Sequence, residues 1–430
     1  MNTLTAFRAV KVKLKLTPDQ RQYFERNAGA ARFVYNNALA YQNELFEQYL
    51  DWKELNPTLS RKEYPGKIKA SYYDLCKLLT DAKYLPEFSW LYNCDNSCLQ
   101  QSLRNLETAY TNYFNSMSGV RKGALIGKPR FKSKRTSKVA FKIMNPNKAN
   151  WINNNCIKIP KLGYVKVWSG IKQLARVKGV INSISFSRDS DNCWYASILS
   201  DSNIAISKHS STGVTAGLDL GLKTYATFNS GHTVTIPERM LRLQKRLVRL
   251  NKAYSRKLHA AKTRGIYGSN LEKAKLKLSK CYYKIKMIRK NFHHQLSNQI
   301  VKYVDVLTIE TLNIKGMVKN RRLSKAISFQ GWYQFTTFLK YKFAQESKVL
   351  IEVNNFFPSS KICANCGDKN TTLALHHREW DCINCGTHHD RDVNAANNLN
   401  NISEWFKLTG EAITNTGKYL TFVIPGLKTQ

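Results

Sequence analysis

Residues 9–20, AVKVKLKLTPDQ, alternate Val10, Val12, Leu14 and Leu16 with Lys11, Lys13 and Lys15. A period of two is that of a strand with one buried and one basic face. The pattern then stops at a helix start. Thr17 can accept from an amide of the first turn, Pro18 suits the first helical position, and Gln20 completes a capping box. Over 18–115 apolar residues recur every three or four positions, as in ARFVYNNALAYQNELFEQYL and NSCLQQSLRNLETAYTNYF, which predicts a largely helical region. Strand character returns in CIKIP, LGYVKVW, VINSISFSR and WYASILS. The helical block therefore reads as an insertion into a small β domain whose first strand lies near Val10.

The polar stretch at 200–213, SDSNIAISKHSSTG, predicts a linker. Beyond it, GVTAGLDLGLKTYATFNSGHTVTIP reads as a strand carrying Asp219, a glycine-marked bend, and a strand pair across NSGH. A helical hairpin follows Pro237. Met240, Leu243, Leu247, Leu250, Tyr254 and Leu258 stripe its first arm, Leu271, Leu278, Ile285, Phe292 and Ile300 its second, and GIYGSN separates the two. VDVLTIETL reads as a buried strand ending near Glu310, QGWYQFTTFLKYKFAQES as a helix, VLIEV as another strand, and DVNAANNL as a helix start. No internal repeat is evident.

Composition changes the picture in one direction. The chain has 430 residues, room for two to four domains, and 43% hydrophobic residues are enough to build real cores. Its 68 Lys and Arg against 29 acids leave +39, which repels itself in a compact body unless a polyanion neutralises it. Nucleic acid is the expected partner. No apolar run approaches the roughly 18 residues that span a bilayer, and the start lacks a signal peptide's apolar core, so no membrane and a cytoplasmic location are expected. The segment 121–142, RKGALIGKPRFKSKRTSKVAFK, holds nine basic residues and no acid: Arg121, Lys122, Lys128, Arg130, Lys132, Lys134, Arg135, Lys138 and Lys142. Phe131 and Phe141 are interleaved with them, as in surfaces that grip phosphates and stack bases. The hairpin is almost as one-sided, since Glu272 is the only acid between Arg239 and Lys290.

Chemistry concentrates near the end. Cys363, Cys366, Cys382 and Cys385 form C-x2-C-x15-C-x2-C, a zinc-ribbon spacing in which two tight knuckles aim four thiolates at one ion. Four thiolates leave no open position, so this Zn²⁺ is expected to be structural. His376, His377, His388 and His389 are expected to be exposed or to contact phosphates. The other six of the ten cysteines read as plain thiols in a reducing compartment. Asp219 in a strand, Glu310 ending another, and Asp390 or Asp392 at a helix start form an ordered series of acids. Carboxylates crowded in an apolar setting repel one another, and divalent cations are the usual remedy. A pair of Mg²⁺ at such a site would support phosphodiester cleavage. Spacing alone leaves Asp390 and Asp392 as alternatives.

GLDLGLKTYAT, VLTIETLNIKGM, FFPSSKICANCG, WDCINCG and HDRDVNAANN, in that order, resemble the TnpB proteins of insertion sequences, compact relatives of type V CRISPR effectors. KLTPDQ, LQQSLRNLETAYTNYF, KPRFKSKR and IKIPKLGYVKV extend the resemblance over nearly the whole chain to about residue 401. It implies a multidomain α+β protein with an RNase H-like, RuvC-type nuclease domain over 206–358, interrupted by the hairpin at 238–300. A wedge-type, barrel-like β domain is implied at 1–17 and 119–205, with a helical recognition insertion at 18–118. The ribbon, implied to bind target nucleic acid, occupies 359–388, the last nuclease motif 389–401, and a tail 402–430. The resemblance assigns catalysis to Asp219, Glu310 and Asp392, the last because it directly precedes the NAA element. It also implies a guide RNA from the transposon end, a double-stranded DNA target, and a chain taken as a monomer. The rivals are a non-cleaving RNA-guided repressor, a protein-only transposase, and a miniature type V CRISPR effector.

Overall fold

The computed structural model describes residues 3–121, 123–144, 152–153, 155–174, 177, 180–205, 211–374, 376–409 and 420–423. The chain divides into two compact units, Thr3–Ile204 and Ala205–Gln430.

In the first unit, β1 (Thr3–Lys15) leads into α1 (Pro18–Leu55). The predicted capping box is present: the Thr17 hydroxyl accepts from the Gln20 amide and the Gln20 side chain accepts from the Thr17 amide. Helices α2 (Tyr72–Tyr84) and α3 (Asn96–Met117) follow. Then come β2 (Ala140–Met144), β3 (Ile152–Asn153), β4 (Cys156–Ile159), β5 (Gly163–Ser169), the short α4 (Ile171–Leu174), β6 (Ile181–Arg188) and β7 (Trp194–Ala205). The sheet order is β2-β6-β7-β1-β5-β4-β3. β1 lies in its middle although all its neighbours come after the helices, so α1–α3 interrupt the sheet in sequence. Val10, Val12 and Leu14 are buried with Phe24, Phe186 and Trp194 in one core, while later turns of α1 pack with α2 and α3 around Val34, Leu39, Leu75 and Leu103 in another. On the basic face, Lys11 pairs with Asp189 at 3.0 Å and Lys13 with Asp191 at 3.4 Å.

Two expectations are corrected here. Residues 200–205 are not linker: Ser200 is fully buried and pairs with Ile181, so β7 runs on to Ala205. Polar composition hid the strand, because inward positions are filled partly by serine. Phe141 is not a stacking platform either. It lies in β2, 4% exposed, with its ring 5.3 Å from Phe24 and 4.9 Å from Phe186.

The second unit opens with β8 (Thr215–Asp219), β9 (Ala226–Phe228) and β10 (Thr233–Val234). The hairpin is α5 (Glu238–Arg264) and α6 (Ser269–Tyr303), with Gly265 ending α5 in the left-handed conformation at φ 69°. There follow β11 (Val306–Glu310), α7 (Ile314–Met317), α8 (Ser324–Gln330), α9 (Trp332–Gln345), β12 (Val349–Val353), β13 (Glu379–Asp381), β14 (His388–Asp390), α10 (Arg391–Thr409) and β15 (Leu420–Val423). The sheet order is β10-β9-β8-β11-β12-β15, and β8, β11 and β12 run parallel. One face carries Leu218, Leu307, Ile309 and Leu350 against Leu296 and Ile300 of α6 and Phe335, Leu339 and Phe343 of α9; the other buries Val306, Ile351 and Val353 against Leu399 and Ile402 of α10. Among the described residues no helix is long and apolar enough to cross a membrane.

Candidate acidic site and four-thiol centre

Asp219 and Glu310 are the last residues of β8 and β11. These strands are parallel neighbours in a register that pairs Leu218 with Ile309, so both acids leave the same end of the sheet side by side. The chain turns back from β8 into the β9–β10 hairpin on one side and crosses to β11 on the other. This is the point where strand order reverses, and ligands of open α/β sheets gather outside the carboxyl ends of strands there.

Asp392, the second residue of α10, comes from the helix laid across β8 and β11. Gly217 lets that helix approach. A Cβ on it would lie 1.9 Å from the Ala396 carbonyl oxygen and 2.4 Å from the Asn400 amide nitrogen. Ala395 and Ala396 are buried on the facing side of α10.

Asp390 and Asp392 do different work. The Asp390 Oδ1 accepts from the Asp392 amide at 3.0 Å and the Val393 amide at 2.9 Å, capping the amides that open α10. The Asp392 carboxylate has the Arg378 guanidinium 3.5 Å away and acts electrostatically on Asp219. Burial pushes the Asp219 carboxyl up to about 7, aided by the charges of Glu310 and Asp392 and opposed by Arg391. Burial also raises Glu310, while a hydrogen bond from the Ser359 hydroxyl at 2.5 Å opposes the shift. All three acids are half-buried.

A frame of side chains behind them was not anticipated. Asn394 and Asn398, one turn apart on α10, each donate to the Ile362 carbonyl at 2.7 Å, and Asn398 donates to the Ser359 carbonyl at 2.7 Å. The Asn394 Oδ1 accepts from the Ala364 amide at 2.9 Å. Ser359, which holds Glu310, is thus held by the helix that carries Asp392. The i, i+4 spacing of the two asparagines was visible in DVNAANN; nothing in the sequence marked Ser359.

The four thiols converge. The Sγ atoms of Cys363, Cys366, Cys382 and Cys385 lie within 4.8 Å of one another, with Cys363 to Cys385 at 3.6 Å and Cys366 to Cys382 at 3.5 Å. A tetrahedron with Zn–S near 2.3 Å has edges of about 3.8 Å, so the donor set fits Zn²⁺. The knuckles are equivalent. Gly367 donates to the Cys363 carbonyl at 2.9 Å and Gly386 to that of Cys382 at 2.8 Å. Both glycines are left-handed, at φ 79° and 68°.

His376, His377 and His388 are exposed, and His388 pairs with Asp381 at 2.7 Å. His389 departs from the expectation of an exposed histidine. It is 8% exposed under the Trp380 ring, with Nε2 3.0 Å from the Cys363 Sγ, because alternation along β14 turns it inward.

Of the basic segment, Arg121, Lys128, Arg130, Lys134, Arg135 and Lys138 are exposed, and Lys142 is half-buried in β2. Lys132 turns inward. Its backbone amide and carbonyl both bond to the Asn36 side chain, its ammonium lies 3.4 Å from the centre of the Tyr35 ring, and burial lowers its pKa. Lys122 lies outside the described residues.

Family models match three stretches: "Probable transposase" over 197–321, "Cas12f1-like, TNB domain" over 332–399, and "Helix-turn-helix domain" over 6–50. The last covers most of β1 and the greater part of α1, a strand and one long helix. "Putative RNA-guided DNA endonuclease InsQ" of Escherichia coli K12 is 30% identical over 416 residues, 93% of this chain and 92% of that protein. A "Putative RNA-guided DNA endonuclease" of Streptomyces pristinaespiralis is 29% identical over 394 residues, 91% and 88%. The "Cryo-EM structure of the Cas12f1-sgRNA-target DNA complex" aligns with 92% of this chain and 99% of that chain at 13% identity and a TM-score of 0.49, too loose a likeness to bear on the site. Mixed helices and sheet with a C-terminal four-cysteine domain, matched in part by the models described as transposase and Cas12f1-like, define the class. Within that class, the chain belongs to the TnpB family.

Proposed function

We propose that the protein is an RNA-guided DNA endonuclease of a transposable element, with Asp219, Glu310 and Asp392 as its catalytic acids. One observation carries this reading. Two of the acids end neighbouring parallel strands, and the third opens the helix packed across those strands. The position at a strand-order reversal supports the RNase H-type reading of the sheet.

Three half-buried carboxylates are hard oxygen donors whose repulsion a divalent cation relieves, so they fit Mg²⁺. Among the described residues no carboxylate trio closes as tightly as the four thiols. Three such acids would suit two ions about 3.5–4 Å apart. When bound, such a pair supplies an activated water and stabilises the leaving oxygen in phosphodiester hydrolysis. Ser359 fixes one Glu310 oxygen, Asp390 and the two asparagines fix the start of α10, and Arg391 offsets part of the negative charge. The four thiols hold a structural Zn²⁺ with no position left for water.

The exposed cations of 121–142 serve the nucleic-acid backbone, while sequence choice falls to guide pairing with target DNA. Purifying the chain from its own locus, with flanking DNA, and sequencing the bound RNA tests this. A single species from the element's end is expected. An RNA-free preparation that joins transposon ends would refute it in favour of a protein-only transposase.

A further inference from the structure

The hairpin carries a feature that neither the acids nor the thiols use. Arg239, Arg242, Arg246 and Arg249 of α5, with Lys284 of α6, line a cleft of about 380 Å³ around the half-buried Leu243. Spacings of three and four place the arginines in one row on the helix. All five cations are exposed, and among the described residues only Arg242 pairs with a carboxylate, Glu238 at 3.5 Å, with both side chains largely in solvent. Glu238 and Glu272 are the only acids of the two helices, so the hairpin cannot neutralise itself. The adjoining side of α5 is already committed, and Leu243 lies on the boundary between the two. Met240, Leu247 and Leu250 pack toward Cys281, Ile285 and Ile288.

We infer that this cleft is a binding site for one nucleic-acid strand, gripping consecutive phosphates of its backbone. From Arg239 to Arg249 the helix rises about 15 Å. Over that length the backbone of one strand presents several phosphates to the four arginines. Four of the five cations are arginine, whose planar fork meets two phosphate oxygens at once, where lysine offers a point charge. An acidic peptide matches this row poorly, because its carboxylates are spaced by side-chain conformation and not by a regular backbone. The inference rests on the nuclease reading only for which strand is held, guide RNA or target DNA.

The test is binding of the full-length chain, without Mg²⁺, to fluorescent 20-nucleotide oligo-U RNA and oligo-dT DNA across a salt series. Single-strand phosphate contacts each contribute about −0.7 to the slope of log K against log salt. Substituting Arg242→Ala, Arg246→Ala and Arg249→Ala together is expected to flatten that slope by about 2 with RNA, DNA or both, at an unchanged melting temperature. Flattening with RNA alone assigns the site to the guide, and with DNA alone to the target. The control triple Lys273→Ala, Lys275→Ala and Lys277→Ala removes three exposed cations of α6 that do not line the cleft. An equal flattening there, or none in the arginine triple, overturns the inference in favour of a diffuse positive surface. So does a polyglutamate of matched charge that binds as tightly as the oligonucleotides and loses as much affinity in the arginine triple. Cleavage plays no part in the readout, so an inactive acidic site would leave this result standing.

Discussion

Asp390 and Asp392 lie two residues apart, and their side chains have different employers. Capping by Asp390 predicts that Asp390→Ala costs about 0.5–2 kcal/mol of stability and leaves cleavage largely intact. Asp392→Ala is expected to lower cleavage by about 10²-fold or more with little change in melting temperature. Paired melting and cleavage assays check both, and equal loss of cleavage in the two variants would contradict the division of roles. Ser359→Ala, which frees one Glu310 oxygen, should lower cleavage by about 10–100-fold, as loss of a residue that orients a metal ligand does. The sequence listed the acids but could not rank Asp390 against Asp392 without the TnpB motif, since a cap and a ligand look alike at a helix start. Composition places Lys132 and Phe141 in a binding surface because it does not report direction. One ammonium lies over Tyr35 and one ring lies in the core.

At the scale of elements, legibility followed periodicity. Alternation identified β1, the capping box marked the start of α1, and strict three-and-four spacing gave both arms of the hairpin. Strands with polar inward positions, such as the end of β7, escaped. So did close approach: GLDLG shows glycines flanking Asp219, yet only the packed helix reveals that Gly217 leaves no room for a Cβ. Gly217→Ala must push α10 off β8, and a loss of about 3 kcal/mol or more is expected in denaturant melts, with loss of cleavage. The ribbon is tied to the same helix. His389 bonds Cys363 and lies three residues before Asp392, while Asn394 and Asn398 hold Ser359 and Ile362. One zinc per chain is therefore expected by elemental analysis. Its removal by a chelator, or Cys382→Ser, should lower both melting temperature and cleavage. Full cleavage in a zinc-free chain would break this link. His293 on α6 gives the pH prediction. It is fully buried beside the Tyr225 hydroxyl at 2.9 Å, and burial, with help from Arg289, holds its pKa down to about 4. Between about 4 and 6.5 the unfolded chain binds the extra proton, so stability falls as pH drops through that window, by about 1.4 kcal/mol per unit at most. Comparing melts at pH 7.5 and 5, His293→Phe should show a smaller drop than the parent chain.

For the whole molecule, the excess of +39 is the plainest statement the sequence makes. Both units carry a share of it, in the exposed cations of 121–142 and along the hairpin. The three acids lie 91 and 82 residues apart in sequence (310 − 219 and 392 − 310) and meet only through the parallel pairing of β8 with β11 and the return of α10. Motif order announced them, but no local pattern could show that they meet. The central claim is RNA-guided cleavage at those acids. Its most direct test is to purify the chain with RNA expressed from its own flanking locus and incubate it, with Mg²⁺, with a plasmid carrying the guide-matched target beside varied flanking sequence. Linear plasmid is predicted only with a matching guide and Mg²⁺, and none from Asp219→Ala, which should still carry its RNA. Cleavage that persists in Asp219→Ala, or that ignores the guide, would contradict the account.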